Sequence, residues 1–156
     1  MDTEESNEKG GPIRIDKSLL LSPGFSEASA ALGKAKKLTG GDIWRIAKLN
    51  RLIIDQSKTR EEAVEMLTER YHGKQEQNEQ GQTFIRIGAD VDDAAERQEM
   101  IEGYNRDTKE MLKGDVATPF DKKLVLKGKH GVDPVHLAFL LDLVDYEEDD
   151  DAEGKD

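Results

Sequence analysis

Residues 39–72 read TGGDIWRIAKLNRLIIDQSKTREEAVEMLTERYH, and the fold depends on what covers the apolar side of that stretch. Ile43, Ile46, Asn50, Ile53, Ser57, Arg60, Val64, Leu67 and Tyr71 succeed one another at alternating steps of three and four. That is the spacing of a heptad seam. Leu49, Leu52 and Ile54 widen the stripe over its first half. The pattern predicts one helix over 40–72, roughly 45 Å long at 1.5 Å per residue. Its middle is polar at Asn50, Ser57 and Arg60, which reads either as a poor layer at a bent midpoint or as a polar layer that fixes register.

Downstream, Ala94, Arg97, Ile101, Tyr104, Thr108 and Met111 repeat the same spacing, predicting a second helix over 91–113. Gly103 interrupts it and leaves room for a bulky side chain such as Trp44 or Tyr71. Between the helices lie a polar connector, GKQEQNEQGQ at 73–82, and a β-branched and aromatic run, TFIRI at 83–87, expected to be a strand. Two matching seams predict a long antiparallel helical hairpin. Ser22-Pro23, a hydroxyl cap followed by proline at the first helical position, opens a short helix over 23–37. LVL at 124–126 marks a strand over 122–126. Asp133-Pro134 opens a last helix over 133–144 that is apolar on nearly every side, and so is either enclosed in its own domain or covered by a partner. The fold class expected is mainly α with a minor β element: the hairpin, short N- and C-terminal helices, and one or two short strands.

Charge divides the chain. Residues 1–9 carry four acids against one lysine and residues 145–156 carry eight against one, so most of the net charge of −11 sits at the two ends. A disordered acidic arm over 1–11, a single helical domain over 12–144 and a disordered acidic tail over 145–156 are expected. The acidity disfavours direct nucleic-acid binding. No apolar run approaches the roughly 20 residues of a membrane span, and the polar N-terminus is unlike a secretory signal. A cytoplasmic protein is expected.

Catalytic signatures do not emerge. The chain has no cysteine, which removes thiolate nucleophiles and zinc–thiolate sites. His72, His130 and His136 follow no metal-binding spacing and read as surface or helix-end residues. There is no P-loop, no G-x-G-x-x-G and no G-x-S-x-G. Arg45, Lys48, Arg51 and Lys58 form either a solvated face or a surface for an acidic partner, this chain's own tail included. Catalytic, cofactor-binding and metal-binding residues are therefore none. The candidates for protein contact are Leu137, Phe139, Leu140 and Leu143 in the apolar last segment.

The run LLLSPGFSEASAALGKAKKLTGGDIWRIAKLNRLI resembles the opening of a family of small, largely uncharacterised proteins of tailed bacteriophages and prophages. REEAVEMLTERYHGK resembles the family's helix end, and EMLKGDVATPF, LVL and the closing leucine-rich segment follow its order. The resemblance covers roughly 19–145 and carries over no catalytic residue. It implies a helical hairpin and a non-enzymatic role in the virion or its assembly, exercised through contacts with phage structural proteins or further copies of the chain. The location implied is the host cytoplasm or the particle itself. The alternative is a regulatory protein that engages a host or phage factor, its acidic tail occupying a basic surface.

Overall fold

The computed structural model describes residues 11–147. Chain order gives β1 (Arg14–Asp16), α1 (Lys17–Leu20), α2 (Pro23–Leu32), α3 (Gly40–Arg70), β2 (Lys74–Gln77), β3 (Thr83–Arg86), α4 (Ala94–Met111), β4 (Asp115–Ala117), β5 (Leu124–Lys127), α5 (Pro134–Leu137) and β6 (Val144–Glu147). The strands form three two-stranded sheets: β1 with β4 and β2 with β3, both antiparallel, and β5 with β6, parallel.

The chain makes two compact units. One comprises Met1–Gln56 with Gly114–Asp156, the other Ser57–Lys113. Helix α3 contributes to both.

The first unit holds the hydrophobic core. Helix α2 starts where its sequence directs: the Ser22 hydroxyl accepts from Phe25 N–H at 3.3 Å and Pro23 takes the first helical position. This presents Phe25, Ala28 and Leu32, all fully buried. Helix α3 begins with a reciprocal cap. Thr39 Oγ1 accepts from Asp42 N–H at 3.0 Å, while Asp42 Oδ2 accepts from Thr39 N–H at 3.1 Å, so two otherwise orphaned donors are satisfied. Burial raises the Asp42 pKa, but the Thr39 bonds and the Arg45 guanidinium outweigh it and hold the carboxyl below its ordinary range. Ile46, Leu49 and Ile53 of α3 then enter the core with Phe120, Leu126 and Leu143. Within the seam, Asn50 accepts a hydrogen bond from the fully buried Ser29 hydroxyl at 2.6 Å. That polar pair ties α2 to one register on α3.

The long hairpin expected from the two seams is not what forms, and the fold is mixed α and β rather than mainly α. The first half of the α3 seam is covered by α2 and by segments near the C-terminus, not by α4. A three-four periodicity reports that one face of a helix is apolar; it does not name what lies over that face. The expected C-terminal helix is also shorter. It runs only from Pro134 to Leu137 and gives way to a turn in which Leu143 N–H and Val144 N–H both donate to the Leu140 carbonyl at 2.9 Å. Strand β6 follows, pairing Val144 with Leu124 and Tyr146 with Leu126. Asp145, Tyr146 and Glu147, read from sequence as the start of the acidic tail, are thus part of a sheet. The remainder of that tail, and residues 1–10 of the N-terminal arm, lie outside the described residues.

Candidate protein-contact site

The second unit is built on few buried groups. Among its described residues Ile87 is the one large hydrophobic side chain that is buried. Its architecture starts at the end of α3, where His72 adopts a left-handed conformation with φ of 56°. Gly73 N–H donates to the Thr68 carbonyl at 2.7 Å and His72 N–H to that of Glu69 at 3.2 Å. This pair of bonds closes the helix in a Schellman arrangement. The chain then forms the β2–β3 hairpin, whose turn is closed by Asn78 N–H donating to Gln82 O at 2.9 Å and by Gly81 at φ of 81°. KQEQ reads as a polar connector because its residues have little β preference; the turn and the partner strand impose the extended form. Gly88 N–H and Ala89 N–H return to the carbonyls of Tyr71 and His72 at 3.0 and 2.9 Å.

Helix α4 is capped by Asp93, whose side chain accepts from Glu96 N–H at 3.3 Å. It meets the last turns of α3 at Gly103. A Cβ there would come within 2.7 Å of Tyr71 Cε1, so the absent side chain is what admits the Tyr71 ring. Tyr104 packs edge-on to Tyr71 at 6.3 Å between centroids. The Tyr71 hydroxyl donates to Asp107 Oδ2. Arg106 Nε lies 3.4 Å and Arg70 Nη1 3.8 Å from the same carboxylate. The Tyr71 bond, with help from Arg106 and Arg70, lowers the Asp107 pKa against an opposing contribution from burial. In turn Asp107 raises that of the Tyr71 phenol.

Beside this anchor lies an open groove of about 550 Å³, lined by Ala63, Met66, Leu67 and Arg70 of α3 and by Asp107, Glu110 and Met111 of α4. Its floor is apolar, and its charged residues are an arginine on one wall and two acids on the other. Met66 is 73% exposed; Phe84 and Ile85 on β3 are 43% and 40% exposed. The unit thus shows water a share of apolar surface that its own fold leaves uncovered.

The contact candidates read from sequence fall elsewhere. Leu140 and Leu143 are fully buried in the first unit's core, and Leu137 and Phe139 are partly buried against it. The Phe139 ring sits over Gly24, where a Cβ would lie 2.3 Å from Phe139 Cζ. In that segment Val135 and Leu141 face water. His130, expected at the surface, is buried: its Nδ1 accepts from Val132 N–H at 2.9 Å and its ring lies edge-on to Tyr146 at 5.1 Å. His72 Nδ1 lies 3.0 Å from Asp90 Oδ1. Of the basic stripe, Arg45 pairs with Asp42 at 2.8 Å, and Lys48 Nζ sits 5.9 Å from the centroid of the Trp44 ring. The groove escaped the sequence reading because its walls come from residues 63–70 and 107–111, far apart in the chain. The signal available was a pair of methionines, the exposed Met66 and the half-buried Met111.

Among the described residues no helix is long and apolar enough to cross a membrane. No protein-family model, curated protein or solved structure matches the chain.

Proposed function

We propose that this chain is a non-catalytic binding protein whose groove between α3 and α4 receives an apolar helix from a partner protein. The observation that carries the reading is the combination in one unit of a 550 Å³ apolar-floored groove with a single buried large hydrophobic side chain among the described residues. A unit of this size normally needs more burial than that to stand alone. An amphipathic helix laid between two helices is a recurrent way to supply it. The chemistry of the rim specifies the occupant further: a basic side chain towards Asp107 and Glu110, an acidic one towards Arg70. The likeness of residues 19–145 to tailed-phage proteins makes a capsid or tail component the partner of choice, and particle assembly or structure the setting.

A photoreactive residue placed at Ala63 of the full chain, expressed where the protein is made, tests this. The expectation is a discrete cross-link to one partner, mapped to a helical peptide of that protein and lost when Leu67→Lys is added. Cross-links confined to the chain itself, or insensitive to Leu67→Lys in a protein with unchanged circular dichroism, would refute the groove as a docking site.

A further inference from the structure

The first unit carries a basic surface that its described residues leave largely unneutralised. Residues 34–51 hold six bases (Lys34, Lys36, Lys37, Arg45, Lys48 and Arg51) against one acid, Asp42. The three lysines at 34–37 are exposed in the connection from α2 to α3, and Lys48 and Arg51 are exposed on α3 itself. Arg45 pairs with Asp42 at 2.8 Å, but Lys48 and Arg51 meet no carboxylate among the described residues. Trp44, 66% exposed, stands among them, with Lys48 Nζ 5.9 Å from the centroid of its ring. A shallow hollow of about 240 Å³ is lined by Trp44, Ala47, Lys48 and Arg51. Asp55, one turn beyond Arg51, has a partner of its own and bounds the basic stretch. A solvated face accounts for exposed lysines; it does not account for an uncovered indole set between them.

We infer that this face is the docking site of the chain's own acidic end, residues 148–156. That segment carries six acids against one lysine, the complement of the basic surface in sign and in number. It also begins beside that surface. The Glu147 carbonyl, at the end of β6, accepts from Gly128 N–H at 2.9 Å, and two residues on the His130 carbonyl accepts from Lys36 N–H at 2.9 Å. The connection that bears the lysines runs alongside the first turns of α3, since a Cβ on Gly33 would lie 3.6 Å from Ile46 Cγ2. Nine residues reach at most about 30 Å, and an α-helix is only about 10 Å across. The segment can therefore pass the connection and round α3 to the hollow, where carboxylates meet Lys48, Arg51 and the indole N–H of Trp44, all donors. The lysines of β5 closest to its start are already engaged: Lys123 Nζ lies 3.7 Å from Asp145 and Lys127 Nζ 3.9 Å from Glu147. Tethering raises the local concentration of this occupant to the millimolar range, which favours it over an acidic segment from another molecule. Docked, it is a removable cover over Trp44.

Exposed ion pairs are individually weak and screened by salt, so the docking loosens as salt rises. The chain holds one tryptophan and no cysteine. An Ala152→Cys full-length chain labelled with a single acceptor of tryptophan fluorescence therefore reads the distance from Trp44 to the acidic segment. Energy transfer is high at low ionic strength, falls at high salt, and is unchanged by dilution with unlabelled protein. Lys48→Glu with Arg51→Glu, in a protein of unchanged circular dichroism, lowers the docked-to-undocked ratio roughly tenfold, as expected for two surface pairs turned repulsive. Asp149→Lys with Asp150→Lys lowers it likewise, and combining all four substitutions in one chain brings transfer back. Leu67→Lys, in the groove of the second unit, leaves transfer unchanged, so this contact and the groove stand or fail separately. Transfer that ignores salt, that survives reversal of Lys48 and Arg51, that the combined variant does not recover, or that dilution with unlabelled chain abolishes would each overturn the inference.

Discussion

Asp107 joins three features of the second unit: the end of α3 through Arg70, the aromatic pair through Tyr71, and its own helix through Arg106. Its pKa is depressed, chiefly by the bond from the Tyr71 hydroxyl. A depressed carboxylate stabilises the fold fully above its unfolded-state value, here the ordinary 3.8. That contribution is lost as pH falls below 3.8 through the lower folded value. Tyr71→Phe removes the largest cause. The Asp107 carboxyl, followed by carbon-detected NMR, then titrates closer to 3.8 than in the wild type, and acid unfolding of the second unit begins at higher pH. A titration midpoint that does not move would show that the bond does not set the charge. The sequence disclosed part of this. Gly103 was readable as a gap for a large side chain because a glycine inside a helix carries a propensity cost of about 1 kcal/mol. The bond between Tyr71 and Asp107 was not readable, because nothing in the local pattern couples residues 36 positions apart.

At the scale of elements, legibility follows how local the determining signal is. The start of α2 was written in Ser22-Pro23, and that cap forms; the start of α3 was read near position 40, and the reciprocal cap between Thr39 and Asp42 that fixes it was not. The Thr83–Arg86 strand could be read from its β-branched and aromatic content. The closing segment misled. An apolar run without period fits a buried helix and a buried strand equally, and which one forms is decided by β5, whose edge takes Val144–Glu147 in parallel. Ile13 and Ile15 could be read as part of a short extended segment, but its pairing could not, since the partner strand β4 lies 101 residues away at the Arg14–Asp115 pair. The turn between α5 and β6 yields a direct prediction. Leu140→Ala, at a fully buried position, lowers the stability of the first unit by about 2–5 kcal/mol. Leu141→Ala, one residue on and 66% exposed, changes it by less than about 0.5 kcal/mol. Urea denaturation of the two variants side by side measures the contrast. Equal effects would mean that the segment does not turn as described.

For the whole molecule, the main consequence is an unequal division of burial between two units that share one helix. The first half of α3 is held by an aliphatic core gathered from both ends of the chain, and the second half by a tyrosine, an aspartate and a short hairpin. A single heptad pattern running through both halves concealed this. Periodicity continues across the boundary while the covering elements change. The proposed division of labour, with stability in one unit and contact surface in the other, rests on that inequality. Hydrogen exchange of the isolated full chain, resolved by residue, tests it most directly. The account predicts the slowest amides at Ile46–Ile53, Leu124–Leu126 and Val144, with markedly faster exchange in β2, β3 and residues 60–70 of α3. Uniform slow exchange from Ile43 to Tyr71, matched by equal protection along α4, would contradict it, because that is the signature of a seam zipped along its whole length.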